Sequence, residues 1–428
     1  MKTKLSPRFW VALTLFSLIG QIAWVVENMY LNVFIYKMFH ASAADISAMV
    51  AASAVAATLT TVLIGALSDK LGKRKLLISG GYLLWGISIL AFCLLRLDLI
   101  ASVIPATVSA ASVGVTLVIV LDCVMTFFGS RANDAAFNAW LTDSTDASNR
   151  GAAEGINAMM PLLAILAVFG GFMAFDLNAP ESWTWIFAII GTVVLLVGVL
   201  GLFLIKEPDI TPSREPYFRT VAHGFLPSTV RKHAPLYLSL VLFILFNISI
   251  QIFMPYLILY YEVSLGMTDY VLIMAPAIIL ASVVTAFWGK AYDKLGFQPS
   301  AWWSLAWLIA GYLLLWFFRA TALVFVGSLL MMCGYLAGMA VFGARIRDLT
   351  PEGQAGQFQG VRIFSQVLVP GLVGPWIGKT VLANAEVIVN NDGTESFIPN
   401  QNIFIAALVV AIFLALALAL TMKKKKQS

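Results

Sequence analysis

Twelve apolar runs constrain this 428-residue chain more than any other feature, because each approaches the length of about 20 residues that a helix needs to cross a bilayer. They fall at 9–36, 44–67, 75–96, 107–138, 152–175, 183–205, 235–260, 268–290, 299–318, 321–345, 357–384 and 402–422. In hydrocarbon every backbone N–H and C=O must bond within the protein, so the runs read as helices and the fold class as an all-α membrane protein. Charged residues make up 11%, against roughly 25% in soluble domains. The run from Phe9 outlasts the about 7 to 15 residues of a secretory-signal core and has no small-residue cleavage site, so it reads as a retained first span. Residues 98–115 are rich in Ser and Ala and fit loop or helix equally.

The net charge of +5 is explained by topology rather than by nucleic acid, since no soluble segment carries a basic stripe with interleaved aromatics. An inside N-terminus places 21 of the 27 Lys and Arg on the cytoplasmic side, including Lys423–Lys426. The expectation is a multi-pass plasma-membrane protein, monomeric, with both termini cytoplasmic and the tetralysine tail on anionic headgroups. A polar stretch over 206–234, with Pro208, Pro212, Pro216 and Pro227, separates an N-terminal six-helix bundle (1–205) from a C-terminal one (235–428). Near the end, Asn390-Asn391-Asp392-Gly393 between two short apolar runs predicts a hairpin.

Neither the cysteines (Cys93, Cys123, Cys333) nor the histidines (His40, His223, His233) are spaced as a disulfide framework or metal site; His40, at the end of the first span, is a minor candidate pH sensor. No P-loop, H-E-x-x-H or G-x-S-x-G motif occurs, which argues against ATP-driven pumping or hydrolysis and leaves an ion gradient as the energy source. No cofactor is expected.

The chain repeats itself. Gly65-Ala-Leu-Ser-Asp69-Lys-Leu-Gly72 returns 224 residues later as Gly289-Lys-Ala-Tyr-Asp293-Lys-Leu-Gly296. Phe137-x-Ala139, Asp143-x-Thr145, Gly151 and Glu154-Gly155-Ile156 return at an offset of 205 as Phe342-x-Ala344, Asp348-x-Thr350, Gly356 and Gln359-Gly360-Val361. Two matches in the same order predict two similar six-helix bundles.

Between the second and third runs, Gly65-x-x-x-Asp69-x-x-Gly72-Lys73-Arg74-Lys75 resembles the signature loop of the major facilitator superfamily. The resemblance covers the chain and implies two pseudo-symmetric lobes that rock about a central cavity. It also implies that Asp69 latches the cytoplasm-closed state against a helix N-terminus of the other lobe, with Gly65 and Gly72 allowing the close turn and Asp293 as its repeat partner. Lys73, Arg74 and Lys75 read equally as charge anchors. Within the superfamily, Asn133-Asp134 to Asn149-Arg150, with Gly356 to Arg362, is similar to the glycoside-pentoside-hexuronide cation symporters and sucrose transporter-like proteins.

Ionisable side chains inside spans cost about 2.5–3.5 kcal/mol each on insertion scales, which makes Glu27, Asp122, Arg131 with Asp134, and Arg362 functional candidates. At 100° per residue Gln21, Trp24, Asn28 and Asn32 form a stripe beside Glu27, and an aromatic among amides suits a sugar. Arg131 and Asp134, three apart, either neutralise each other or leave Asp134 to accept substrate hydroxyls, the role its place in the symporter-like segment implies. Asp122 lies on the opposite helix face from Arg131 and needs another partner or a proton. Arg362 stands at the repeat position of Asn157 and, with Gln366, is a candidate carboxylate ligand. Asn247 and Gln251 share a face in the seventh run. Gly334-x-x-x-Gly338 and Gly374-x-x-x-Gly378 read as packing motifs.

One departure bears on coupling. Where the symporters carry paired acids on the second span, Ala57–Thr61 reads Ala-Thr-Leu-Thr-Thr, and Val367 stands in place of their lysine on the eleventh. Sodium is therefore less expected than a proton carried by Glu27, Asp122 or Asp134, because a carboxyl removed from water favours its protonated form. The sequence thus points to a symporter of a small polar solute, a sugar or glycoside first. Export of amphipathic compounds, kept open by Met159, Met160, Met254 and Met274, is the alternative, and a lipid mover or transport-inactive sensor the next.

Overall fold

The computed structural model describes residues 5–427 except 147–148, 208–221, 352–354 and 391–393; the side chains of 65–66, 68–70, 150–151, 223, 289–291, 355–357, 359 and 422–427 also fall outside the described set. Among the described residues twelve helices are long and apolar enough to cross a membrane: α1 Pro7–Phe39, α2 Ala43–Ile64, α3 Arg74–Leu94, α4 Ala110–Asp143, α5 Ala152–Phe172, α6 Pro180–Leu204, α7 Ala234–Ser264, α8 Val271–Leu295, α9 Phe297–Phe317, α10 Thr321–Leu349, α11 Gly360–Val381 and α12 Asn402–Thr421. Every apolar run has its helix. The ambiguous stretch before α4 resolves into a short helix, Leu97–Val103, and a break at Pro105, after which Ser109 caps α4 through a bond from the Ser112 amide (3.3 Å). His40 ends α1 in the left-handed region at φ 51°.

The chain forms two compact units: Met1–Ala41 with Ala52–His223, and Ser42–Ala51 with Gly224–Ser428. In the first unit Trp85, Trp140, Trp183, Tyr30, Tyr82, Phe16, Phe34 and Phe39 are fully buried. Helices α3 and α6 approach so closely that a Cβ on Gly86 would sit 2.6 Å from the Leu195 nitrogen, and one on Gly198 2.7 Å from that of Leu83. In the second unit a Cβ on Gly334 would lie 2.5 Å from the Leu308 nitrogen and one on Gly378 2.6 Å from the Ile252 carbonyl oxygen, so both small-residue motifs mark close helix crossings. Gly334→Val is expected to lower stability by about 1–3 kcal/mol through overpacking, read as a fall in the thermal unfolding midpoint in detergent.

Both repeats have structural counterparts. Gly72 and Gly296, the paired glycines, take φ 63° and 78°, a left-handed turn that an L side chain resists. Phe137 and Phe342 are both buried, while Asp143 and Asp348 each bind a side chain within their own unit. After α11, β1 Val387–Val389 pairs antiparallel with β2 Glu395–Phe397 in register Val387↔Phe397. Residues 391–393 of the expected turn lie outside the described residues.

The polar stretch read as a linker is folded at both ends. At its start, Trp140 Nε1 donates to the Lys206 carbonyl (3.1 Å) and the Glu207 carboxylate accepts from the Arg74 and Lys75 amides, capping α3. A short helix, Pro227–Lys232, precedes α7.

Candidate functional site

Inside the first unit, Glu27 of α1 lies within electrostatic reach of Asp122 and, more weakly, of Asp134, both on α4. Local backbone sets two of them. Val26–Tyr30, carrying Glu27, and Ser130–Phe137, carrying Asp134, are wound as wide turns with i→i+5 bonding, a form concentrated at functional sites. Similar wide turns occur at Tyr260–Ser264 in α7 and Phe364–Leu368 in α11, the latter carrying Gln366.

Glu27 is 6% exposed and Asp122 2%. The Thr126 hydroxyl donates to Glu27 Oε1 at 2.7 Å, Ser53 Oγ lies 3.2 Å from the same oxygen, and the two hydroxyls are 2.7 Å apart. Glu27 Oε2 and Asp122 Oδ1 are buried without a hydrogen-bond partner, and Ser53 faces Asp122 as well. Among the described residues no cation lies within ion-pair distance of these acids. Ser53 and Thr126 carried no mark in the sequence, since hydroxyl residues are ordinary in membrane helices and bond back to their own backbone. Their spacing offered one signal: Asp122 and Thr126 are four apart and share a helix face.

Arg131 and Asp134 do not neutralise each other. No ion pair joins them within 4 Å, and Arg131 Nε is buried without a partner. The wide turn that holds both changes the angular step on which the three-apart pairing depended.

The stripe on α1 is divided for the same reason, because the wide turn at 26–30 advances the phase of everything beyond it. Gln21 and Trp24 are partly exposed, and Trp24 leans on Trp85 with ring centroids 5.3 Å apart. Asn28 is exposed with its amide donating to the Trp24 carbonyl (2.8 Å), whereas Asn32 is buried and donates to the Asn28 carbonyl (2.9 Å). Asn157 of α5 accepts a bond from Ser17 of α1. Asn157 thus meets α1 at Ser17, Trp24 meets α3 at Trp85, and Asn32 lies in the interior.

In the second unit, Asn247 is buried and spends its amide on the Phe243 carbonyl (2.8 Å). Gln251 stands where a Cβ on Gly374 would approach to 2.5 Å, so its backbone seats the α7–α11 crossing. Arg362 is partly buried beside the charge of Arg347, with no carboxylate in ion-pair distance among the described residues.

Gly65 and Asp69 fall outside the described side chains, Lys73 is exposed, and Asp293 is exposed on the last turn of α8. Arg74, read equally as an anchor, is buried and donates from Nε to Asp143 at 2.9 Å. The repeat counterpart of Asp143, Asp348, instead accepts from the Tyr292 O–H at 2.6 Å. Glu207→Gln is expected to cost about 0.3–1 kcal/mol by weakening the α3 cap, measurable as a lowered melting midpoint that added salt makes smaller.

The Major Facilitator Superfamily profile matches residues 10–375. No curated protein matches the sequence. Among solved structures, the nucleoside transporter NupG aligns with a TM-score of 0.69 at 14% identity, covering 96% of this chain and 98% of that one. A bacterial homolog to the human lysosomal transporter Spinster, inward-facing and occupied, aligns at 0.71 and 14% over 99% and 98%. The xylose transporter XylE from E. coli aligns at 0.67 and 15% over 95% and 96%. With a profile that spans most of its length and a twelve-helix fold shared along whole chains, this multi-pass membrane protein belongs to the major facilitator superfamily of transporters.

Proposed function

We propose that the protein is a proton-coupled transporter of a small polyhydroxylated solute, a sugar or glycoside, with Glu27 as the proton-carrying group and Asp122 as its neighbour in relay. One observation carries this reading: two buried carboxyl groups present unpartnered oxygens beside a pair of hydroxyls, with no cation among the described residues within ion-pair distance to neutralise them. Three oxygen contacts join Glu27, Ser53 and Thr126, while the two hydroxyls supply only two protons. A chain Ser53→Thr126→Glu27 fills the two 2.7 Å edges and leaves the 3.2 Å Ser53–Glu27 edge open. A proton on Glu27 closes it. Sodium could occupy the same oxygens, but hydroxyls already within hydrogen-bond distance of the carboxylate favour the smaller ion.

Asp134 is assigned to solute hydroxyls together with Gln21, Trp24 and Asn28. The neighbours described as xylose and nucleoside transporters support a hydroxyl-rich solute, and Asn157, Asn247, Gln251, Arg362 and Gln366 remain secondary candidates. The excess of Lys and Arg supports cytoplasmic termini. The test is uptake of a labelled sugar panel into proteoliposomes under an imposed pH or sodium gradient. Accumulation of a sugar that collapses with a protonophore is expected. Failure of every sugar to compete, alongside displacement by cationic amphipaths, replaces this reading with export.

A further inference from the structure

A cavity lies at the end of the first unit opposite Arg74, about two helical turns beyond Glu27 along α1. It encloses ≈ 320 Å³, a volume typical of small-ligand pockets, and is bounded by Phe34 and Met38 of α1, Phe92 of α3, the segment Leu95–Asp98, and Pro180, Trp183 and Thr184 of α6. Its walls are braced. Phe34 packs on Trp183 (5.2 Å) and Phe187 (4.9 Å), Phe92 stacks on Phe187 (5.0 Å), and Trp183 Nε1 is tied to the Leu177 carbonyl (2.9 Å). These rings are committed to one another and cannot swing inward to fill the space.

The rim is ionic. Arg96 Nε and Nη2 donate to the two Asp98 oxygens at 3.0 and 3.2 Å, and Nη2 also reaches Glu181 at 3.4 Å. Hydrogen bonding with Arg96 holds the Asp98 carboxyl below its usual range, and the same bonds raise the Arg96 guanidinium, so each keeps its charge. Arg96 Nη1 is left for an outside acceptor, and the two carboxylates exceed the one guanidinium by a negative charge. Around this rim Leu94, Leu99, Val103 and Trp185 are exposed, the apolar and tryptophan-bearing belt expected where helix ends meet lipid headgroups.

We propose that this cavity is a lipid site for an aminophospholipid with a zwitterionic phosphoethanolamine head. The phosphate takes Arg96 Nη1, the primary ammonium donates to Asp98 and Glu181, and the start of an acyl chain lies against Phe34, Met38 and Phe92. A quaternary choline head has no N–H to give the carboxylates, and a glycerol head brings no positive charge, so the rim selects phosphoethanolamine.

The full-length protein, equilibrated in vesicles of equimolar phosphatidylethanolamine and phosphatidylcholine with matched chains, is extracted mildly, and its retained lipids are counted by mass spectrometry. Phosphatidylethanolamine is expected to be enriched about 5-fold, the factor set by about 1 kcal/mol for one added charge contact near the surface. The Asp98→Asn/Glu181→Gln variant, altered only at exposed positions, is expected to retain the two lipids equally while keeping its unfolding midpoint in pure phosphatidylcholine. Equal retention by the unaltered protein overturns the proposal, as does enrichment that survives in the variant. Displacement of the lipid by soluble phosphoethanolamine at equal concentration also overturns it, because the occupant would then be a free solute. None of these readouts depends on solute uptake, so the site stands or falls apart from the transport reading.

Discussion

Glu27→Gln is expected to abolish uphill accumulation of the solute, cutting the steady-state gradient by about 100-fold, while leaving exchange of internal for external solute near its starting rate. The amide keeps the shape of the side chain and still meets Thr126 and Ser53, so the helices remain packed. On the proposed reading, what disappears is the group that binds a proton on one side and releases it on the other. A coupling free energy of about 2.7 kcal/mol corresponds to that factor and lies within the usual range for linked sites. The measurement is a pair of assays in the same proteoliposomes, one with an imposed pH gradient and one with solute on both sides and none. Loss of both activities together would show that Glu27 holds the solute or the fold rather than the proton. Ser53→Ala is a milder companion: it removes the open edge of the triangle and is expected to shift the pH dependence of uptake without abolishing it.

Arg74→Ala is expected to lower unfolding stability by about 3 kcal/mol, the low end for breaking a buried ion pair. The guanidinium is nearly sealed off and Asp143 about one-fifth exposed, so water reaches the orphaned carboxylate only in part. Arg74→Lys should recover less than half of that loss, since an ammonium does not reproduce the planar Nε–H donor aimed at Asp143. Thermal unfolding in a fixed detergent, with Asp143→Asn and the double variant, closes a cycle. If the two single losses simply add, the pair contributes nothing as a pair and Arg74 acts through packing alone.

What the sequence disclosed follows from which physical signals are local. Helix count was legible because a bilayer demands long apolar runs, whereas the break before α4 was not, since the Ser/Ala-rich stretch 98–115 fits loop or helix equally until Pro105 and the Ser109 cap are seen to interrupt it. The repeats were legible because Gly72 and Gly296 answer the same conformational need. Glu27 and Asp122 stood out as charges where charge is costly. Their companions did not: Ser53 and Thr126 matter only through the helices that bring them to Glu27, and α2 and α4 are far apart in the chain. Arg74 resembled its lysine neighbours, and its burial depends on Asp143, 69 residues away. Glu207 read as one more charge in a mixed stretch, yet it closes the first turn of α3. The division of Asn28 from Asn32 and the separation of Arg131 from Asp134 share one cause, since a uniform step of 100° per residue fails wherever a turn takes in an extra residue.

Those wide turns also bear on how a rigid rod can yield. An inserted residue in an otherwise regular helix is a movable defect: passing it one step along requires exchanging a single carbonyl partner, with no other backbone bond broken. Each side chain the defect passes rotates by about 100° around the axis. In α1 the defect sits at Glu27 itself, so a local slip can re-aim that carboxyl while the two ends of the helix keep their places.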